Sequence, residues 1–193
     1  AIAELRAAIA RDAHAAAQAG AADVVLDAYR LFVDLCMQQS QGDQAFAALA
    51  ELRRYEGGLP VAQELALKLA NDVAASEHTL AAAADVLAEA GRLQELAPAL
   101  RAALDDRYPR SVALAVRLGD ALAAAGEFDE AVRRYRAAAE LRPDEAPRLI
   151  PKLLAIVAGS GDSASARETL GLLLFRQREY AQAAEHLAQA LAL

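Results

Sequence analysis

Apolar residues recur along this chain at intervals of three and four, and polar punctuation interrupts the rhythm at turns. A period near 3.6 is the mark of helices that each bury one face. Eleven helical segments result from it, near 1–19, 22–41, 43–56, 59–75, 77–90, 92–106, 110–125, 128–141, 148–158, 162–177 and 179–193. Gly20, Gly42, Gly57-Gly58, Gly91, Gly126 and Gly159-Ser160-Gly161 stand where a helix is expected to stop and the chain to turn. Pro60 and Pro109 fall at or near a first helical turn, where a missing N–H costs nothing, and Asp144 is placed to cap the helix after Pro143. Two prolines break the pattern. Pro98 predicts a kink or a late start. Pro151 cannot donate to the carbonyl of Pro147, so the helix there is expected to begin only near Pro151 and to be short.

The small residues inside these segments have a packing task. Gly119, Ala131 and Ala138 sit where helices press together, and larger side chains would push the axes beyond the usual ~8–10 Å. Together with Leu118, Leu122, Gly126, Tyr135 and Pro143 they make 112–145 resemble one unit of the tetratricopeptide repeat family, a helical hairpin of about 34 residues. Ala115, where the family often has a large residue, is the departure. The resemblance extends to 164–193 through Leu170, Gly171, Leu174, Tyr180, Ala183, Leu187 and Ala190. It weakens over 77–110, which keeps Ala83-Ala84, Leu87, Gly91, Leu96, Leu100 and Ala103, and near 26–58 only Gly42, Asp43 and a loose alanine-leucine pattern remain.

The resemblance implies an all-α solenoid of antiparallel helix hairpins in a right-handed superhelix, one domain over 1–193. Within it, 1–76 are divergent helical repeats, 77–145 two consecutive units, 146–163 an extra helix and turn, and 164–193 a final unit without its closing turn. Gly42 to Gly91 is 49 residues, Gly91 to Gly126 is 35, and Gly126 to its positional equivalent Arg178 is 52. The two long intervals each exceed a repeat by about one helix, placed near 59–75 and 148–158. Either these helices interrupt the array or the divergent units pair in another register; irregular stacking of a continuous array is the favoured expectation. A chain that opens inside a helix and stops before a closing turn is expected to be a piece of a longer protein.

Composition narrows the function. The net charge of −7 and pI near 5.0 exclude the clustered basic footprint of a nucleic-acid binder. No run approaches the roughly 18 apolar residues of a membrane span. The single Cys36 forms no internal disulfide and, with no cationic neighbour in the sequence, reads as a buried structural thiol. His14, His78 and His186 stand far apart, and no metal-binding spacing or phosphate-cradling loop occurs. The expectation is no enzyme, no cofactor and no metal. Compartment stays open between cytoplasm and periplasm.

In the family the resemblance points to, the first helix of each unit lines a concave groove for a partner peptide or helix. Carried over by position, the lining is His78, Ala81, Asp85, Ala88 and Glu89; then Ala113, Val116, Asp120, Ala123 and Ala124; then Ser165, Glu168, Leu172, Phe175 and Arg176. The Lys/Asn/Arg set of carboxylate-clamping relatives is missing. Asp85, Glu89 and Asp120 suit a basic amphipathic helix. The leading expectation is a protein-protein interaction scaffold, which family analogy would place in a bacterial envelope assembly such as pilus or polysaccharide-export machinery. The alternatives are a regulatory module coupled to an effector domain, and a self-association module working through its terminal helices.

Overall fold

A computed structural model describes residues 2–18, 21–160 and 163–193, with the side chains of 2, 3, 14, 17, 18 and 160 left aside. Every regular element among the described residues is helical. The chain divides into two compact units, Ala1–Ala99 and Leu100–Leu193.

The first unit holds α1 (Ile2–Gln18), α2 (Ala22–Gln38), α3 (Gly42–Leu52), α4 (Gly58–Ala70) and α5 (Glu77–Glu89), and then a 3-10 turn at Leu93–Leu96. Successive helices pack on one another, and α4 also reaches back to α2. The core is built from Tyr29, Phe32, Val33, Leu49, Leu52, Leu69, Leu80 and Leu87, all essentially inaccessible to water. At ~1.5–3 kcal/mol for each large apolar side chain buried, such a core outweighs any single capping or ion-pair contact. α6 (Ala97–Ala102) leads into the second unit, where a π-helical turn spans Ala103–Arg107. Beyond it come α7 (Val112–Ala124), α8 (Phe128–Leu141), a 3-10 turn at Pro143–Glu145, α9 (Ala146–Ser160), α10 (Ala164–Arg176) and α11 (Tyr180–Ala192). The α7/α8 and α10/α11 pairs form tight hairpins, with α9 wedged against α8 and α10.

Those two hairpins owe their closeness to the tetratricopeptide-like small–large pairs. A Cβ on Gly119 would lie 2.5 Å from Cε1 of Tyr135, and one on Gly171 would lie 2.7 Å from Cγ of Leu187. Such distances are far inside van der Waals contact, so any side chain at either glycine forces the helices apart.

The hairpin turns repeat one device. At Ser40, Gly91, Gly126 and Arg178 the backbone turns left-handed, with φ of 54°, 67°, 81° and 66°. The next N–H then bonds back five residues: Gln41 to the Cys36 carbonyl, Arg92 to Leu87, Glu127 to Leu122 and Glu179 to Leu174, at 2.8–3.0 Å. This closes the helix C-terminus by the 6→1 bond of a Schellman motif. Arg178 takes its expected place. Gly42 does not: it opens α3, and the turn belongs to Ser40, two residues earlier.

Other expectations also need correction. α9 starts at Ala146 and carries Pro151 in its interior, so it is neither short nor late. The proline forfeits one backbone bond and crowds the preceding turn, roughly 3 kcal/mol in a bare helix. Full burial of Leu149, Leu153 and Ile156 offsets it. Gly159 accordingly lies inside α9 rather than ending it, while Gly20, Gly161 and Asp162 lie outside the described residues. α3 ends at Leu52 and α4 at Ala70, both short of the periodicity limits, and Pro109 lies outside α7, which Ser111 caps instead. Pro98 does mark a late start, as the second residue of α6 after a 3-10 turn.

Candidate functional site

First helices of the hairpins are those that end at a left-handed turn: α2, α5, α7 and α10. Counting back six residues from that turn reaches Asp34, Asp85, Asp120 and Leu172. These four positions are equivalent by the geometry of the turn, and three carry an acid.

Two of the acids are engaged in the same way. Lys68 of α4 donates to Oδ1 of Asp34 at 2.5 Å. Lys152 of α9 donates to Oδ1 and Oδ2 of Asp120 at 2.7 and 2.9 Å. These are the chain's two lysines. Each projects from a helix that comes after a hairpin and packs on its second helix, α4 on α3 and α9 on α8. The two helices by which the long intervals exceed a repeat thus each pair a lysine with an aspartate of a first helix. Sequence reasoning missed both lysines, although their rarity and their spacings to an acid were visible.

Asp120 has a second partner, the Tyr135 hydroxyl, which donates to Oδ1 at 2.7 Å. Burial, and then the hydrogen bond and charge of Asp120, push the Tyr135 phenol upward, so it stays a donor. The carboxylate expected to orient an incoming basic helix therefore already orients one from its own chain.

The other groove positions expected from the sequence are spread over three helices. On α5, His78, Asp85 and Glu89 are exposed, and Glu89 pairs with Arg53 at the end of α3. On α7, Val116 is half-buried and Ala124 exposed. On α10, Glu168 lies 3.9 Å from Arg136, and Arg176 donates to the Ala139 carbonyl at 3.5 Å. Leu172 and Phe175 are exposed, and the Phe175 ring meets Tyr180 edge-on at 5.4 Å between centroids. In the second unit the lining thus sets the exposed Leu172 and Phe175 beside the charged Glu168 and Arg176 on α10, and carries one acid, Asp120, on α7.

A second recurrent contact fixes the first helices. Ser76, Ser111 and Ser163 cap α5, α7 and α10, each accepting from the N–H three residues on. In the first unit the Ser76 and Thr79 hydroxyls both donate to Asp43 of α3, at 2.7 and 2.9 Å. These bonds hold the Asp43 carboxyl below its ordinary range, and they outweigh its partial burial. The Ser163 hydroxyl reaches Asp129 of α8 at 3.5 Å.

Little else is chemically poised. Among the described residues no group of His, Cys, Asp and Glu could hold a metal, and no helix is long and apolar enough to cross a membrane. Cys36 is buried, and that burial raises its thiol despite the opposing charge of Arg6, a cationic neighbour invisible in the sequence.

No protein-family model and no curated protein matches the chain. Among solved structures it is similar to the MamA RS-1 ArsTM double mutant, at 14% identity over 100% of this chain and 96% of that one, TM-score 0.49. It is also similar to MamA 41-end from Desulfovibrio magneticus RS-1, at 14% identity over 100% and 97%, TM-score 0.48. YrrB, a TPR protein with an unusual peptide-binding site, matches at 16% identity over 95% and 84%, TM-score 0.46. Likeness this remote transfers no partner.

Proposed function

We propose that this chain is a protein-protein interaction scaffold whose first-helix faces receive amphipathic helices from a partner. One observation carries the reading: twice within the chain a helix lies on a hairpin and delivers its lysine to the acid six residues before the turn. The face is thereby suited to a basic amphipathic helix, through a charge-assisted hydrogen bond flanked by apolar contact. Asp85 holds the equivalent position on α5, and Asp85, Glu89 and His78 form its exposed rim. Nucleic acid is a poor fit to a chain of net charge −7.

The test is photocrosslinking in a lysate of the source cells, with the crosslinker at Ala88 and a parallel chain carrying Asp85→Lys and Glu89→Lys. Circular dichroism confirms that the variant keeps its helicity. Labelling of a lysine-bearing amphipathic segment that disappears in the variant supports the reading. Equal labelling of wild type and variant removes the acidic face of α5 from the binding surface.

A further inference from the structure

The neighbouring helices α8 and α9 show different faces to water. Six residues of α8 are exposed and four are charged, Asp129, Arg133, Arg136 and Glu140, as expected of a surface helix. Seven residues of α9 are exposed, and one alone is charged, Arg148. At 3.6 residues per turn, Leu154, Pro147, Ala158, Pro151, Ala155 and Arg148 follow one another around about a third of the helix circumference. The opposite side holds the buried Leu149, Leu153 and Ile156, and Lys152 is committed to Asp120.

α9 is thus apolar on nearly every side, a composition that belongs to a helix covered all round. Its neighbours in the chain do not provide the cover. α8 before it and α10 after it both pack against α9, and with both in place the outer arc stays open. The arc is low in relief: two prolines and two alanines surround one projecting side chain, Leu154, at 44% exposed. Such small residues let a second helix approach closely, provided it offers Leu154 a hollow.

Electrostatics selects the occupant. Arg148 lies in the first turn of α9, where a cation opposes the helix dipole. Its acid, Glu145 at 3.6 Å, is shared with Arg142 at 3.1 Å, and the Arg148 side chain remains 81% exposed. The last turn of α9 carries no basic residue to meet the negative end of the dipole. A cation misplaced at one end and an unmatched negative pole at the other are both answered by the same helix running the opposite way. A basic helix of the kind proposed for the first-helix faces finds no acid on this arc.

We infer that α9 pairs face to face and antiparallel with α9 of a second copy of this chain, about a two-fold axis midway between Pro151 and Leu154. In that register Pro151 lies against the second copy's Leu154 and Pro147 against its Ala158, while Arg148 comes over its last turn. The contact is isologous, so every interaction occurs twice and the assembly closes at two copies. One helix face is smaller than the roughly 800 Å² per partner of a standard interface, so the dimer is weak and dissociates on dilution. This surface is separate from the first-helix faces, and the inference does not rest on their proposed role.

Sedimentation equilibrium of the 193-residue chain, from micromolar to near-millimolar concentration, should show mass rising toward that of two copies and no further. Leu154→Glu and Ala155→Glu, both at exposed positions, should each leave a monomer. Arg148→Glu should weaken the dimer roughly tenfold, since both ends lose a favourable charge and gain a repulsive one. Circular dichroism of each variant separates lost association from lost fold. Orientation is read by oxidation of chains carrying Pro147→Cys or Ala158→Cys, in which the native Cys36 is buried. Disulfides should form between the two variants in a mixture and far less within either alone. A monomer at every concentration, glutamate variants that dimerise like the unaltered chain, or disulfides that form as readily within one variant as between the two would overturn the inference.

Discussion

The segment α2–α4 in the first unit and the segment α7–α9 in the second solve one problem with different residues. In each, a first helix ends in a left-handed turn and carries an aspartate six residues earlier, and a third helix delivers a lysine to it. The hairpin contacts differ. Val33 and Leu49 meet the core where α7 and α8 have Gly119 and Tyr135. The glycine lets the tyrosine reach across to Asp120, so that carboxylate is three-quarters covered and doubly bonded, whereas the Asp34 side chain is 43% exposed with one lysine. Backbone devices and polar pairing persist where the signature residues have drifted, and the small–large pair sets how dry the ion pair becomes.

The strongest way to break this comparison is to fill the glycine. Gly119→Leu should lower stability by about 3 kcal/mol, since even its Cβ lies 2.5 Å from the Tyr135 ring. Val33→Leu, the matched change in the first unit, adds one methylene to a fully buried site and should cost nearer ~1 kcal/mol, the low end of the overpacking range. Urea denaturation of both reads the difference. Equal losses would mean that the two hairpins do not differ in closeness.

Lysine removal should give the next largest contrast. Lys152→Ala leaves Asp120 with a tyrosine alone and should cost about 1 kcal/mol, in the range of a partly covered charged hydrogen bond. Lys68→Ala disrupts a pair about half exposed on both sides and should cost under about 0.5 kcal/mol. Double-mutant cycles with Asp120→Ala and Asp34→Ala isolate each pair. A Lys68 pair stronger than the Lys152 pair would refute the link between hairpin closeness and coupling.

How far the sequence reveals this molecule depends on whether a feature is local. Eleven helices are expected from apolar period alone, because each must bury a stripe. The start of α9 is not, since the local proline rule is overridden by the tertiary burial of Leu149, Leu153 and Ile156. Nor is the Ser40 turn visible, for a serine in the left-handed region gives no glycine signal and Gly42 stands two residues away. The groove positions Asp85, Asp120 and Leu172 were recoverable by counting from the family signature. That Asp120 is already occupied by Lys152 was not, because the pairing spans 32 residues and two turns.

The turns offer a smaller test with the opposite sign. Ser40 and Arg178 hold φ values that L-residues adopt only at a cost of about 1–2 kcal/mol, part of which glycine would recover against its greater chain entropy. Ser40→Gly and Arg178→Gly should each stabilise by roughly 0.5–1 kcal/mol, while Gly126→Ala, at a φ of 81°, should destabilise by about 1 kcal/mol or more. Thermal melts of the three chains report the signs directly. Destabilisation by either glycine would show that its side chain contributes a contact beyond the turn.

The smallest effect concerns the Asp43–Ser76–Thr79 contact. With its folded carboxyl held below the ordinary value near ~3.9, Asp43 adds stability that is fully present above that value. The contribution disappears as pH falls through the depressed folded value. Because Asp43 is exposed, the effect should stay below about 0.5 kcal/mol. Asp43→Asn should therefore narrow the gap between urea midpoints at neutral and strongly acid pH, and Thr79→Val, which removes one of the two hydroxyl donors, should narrow it less. If Asp43→Asn leaves the acid limb as steep as in the unaltered chain, the Ser76 and Thr79 hydroxyls do not favour the charged Asp43, and the contact contributes nothing to how the first unit holds α5.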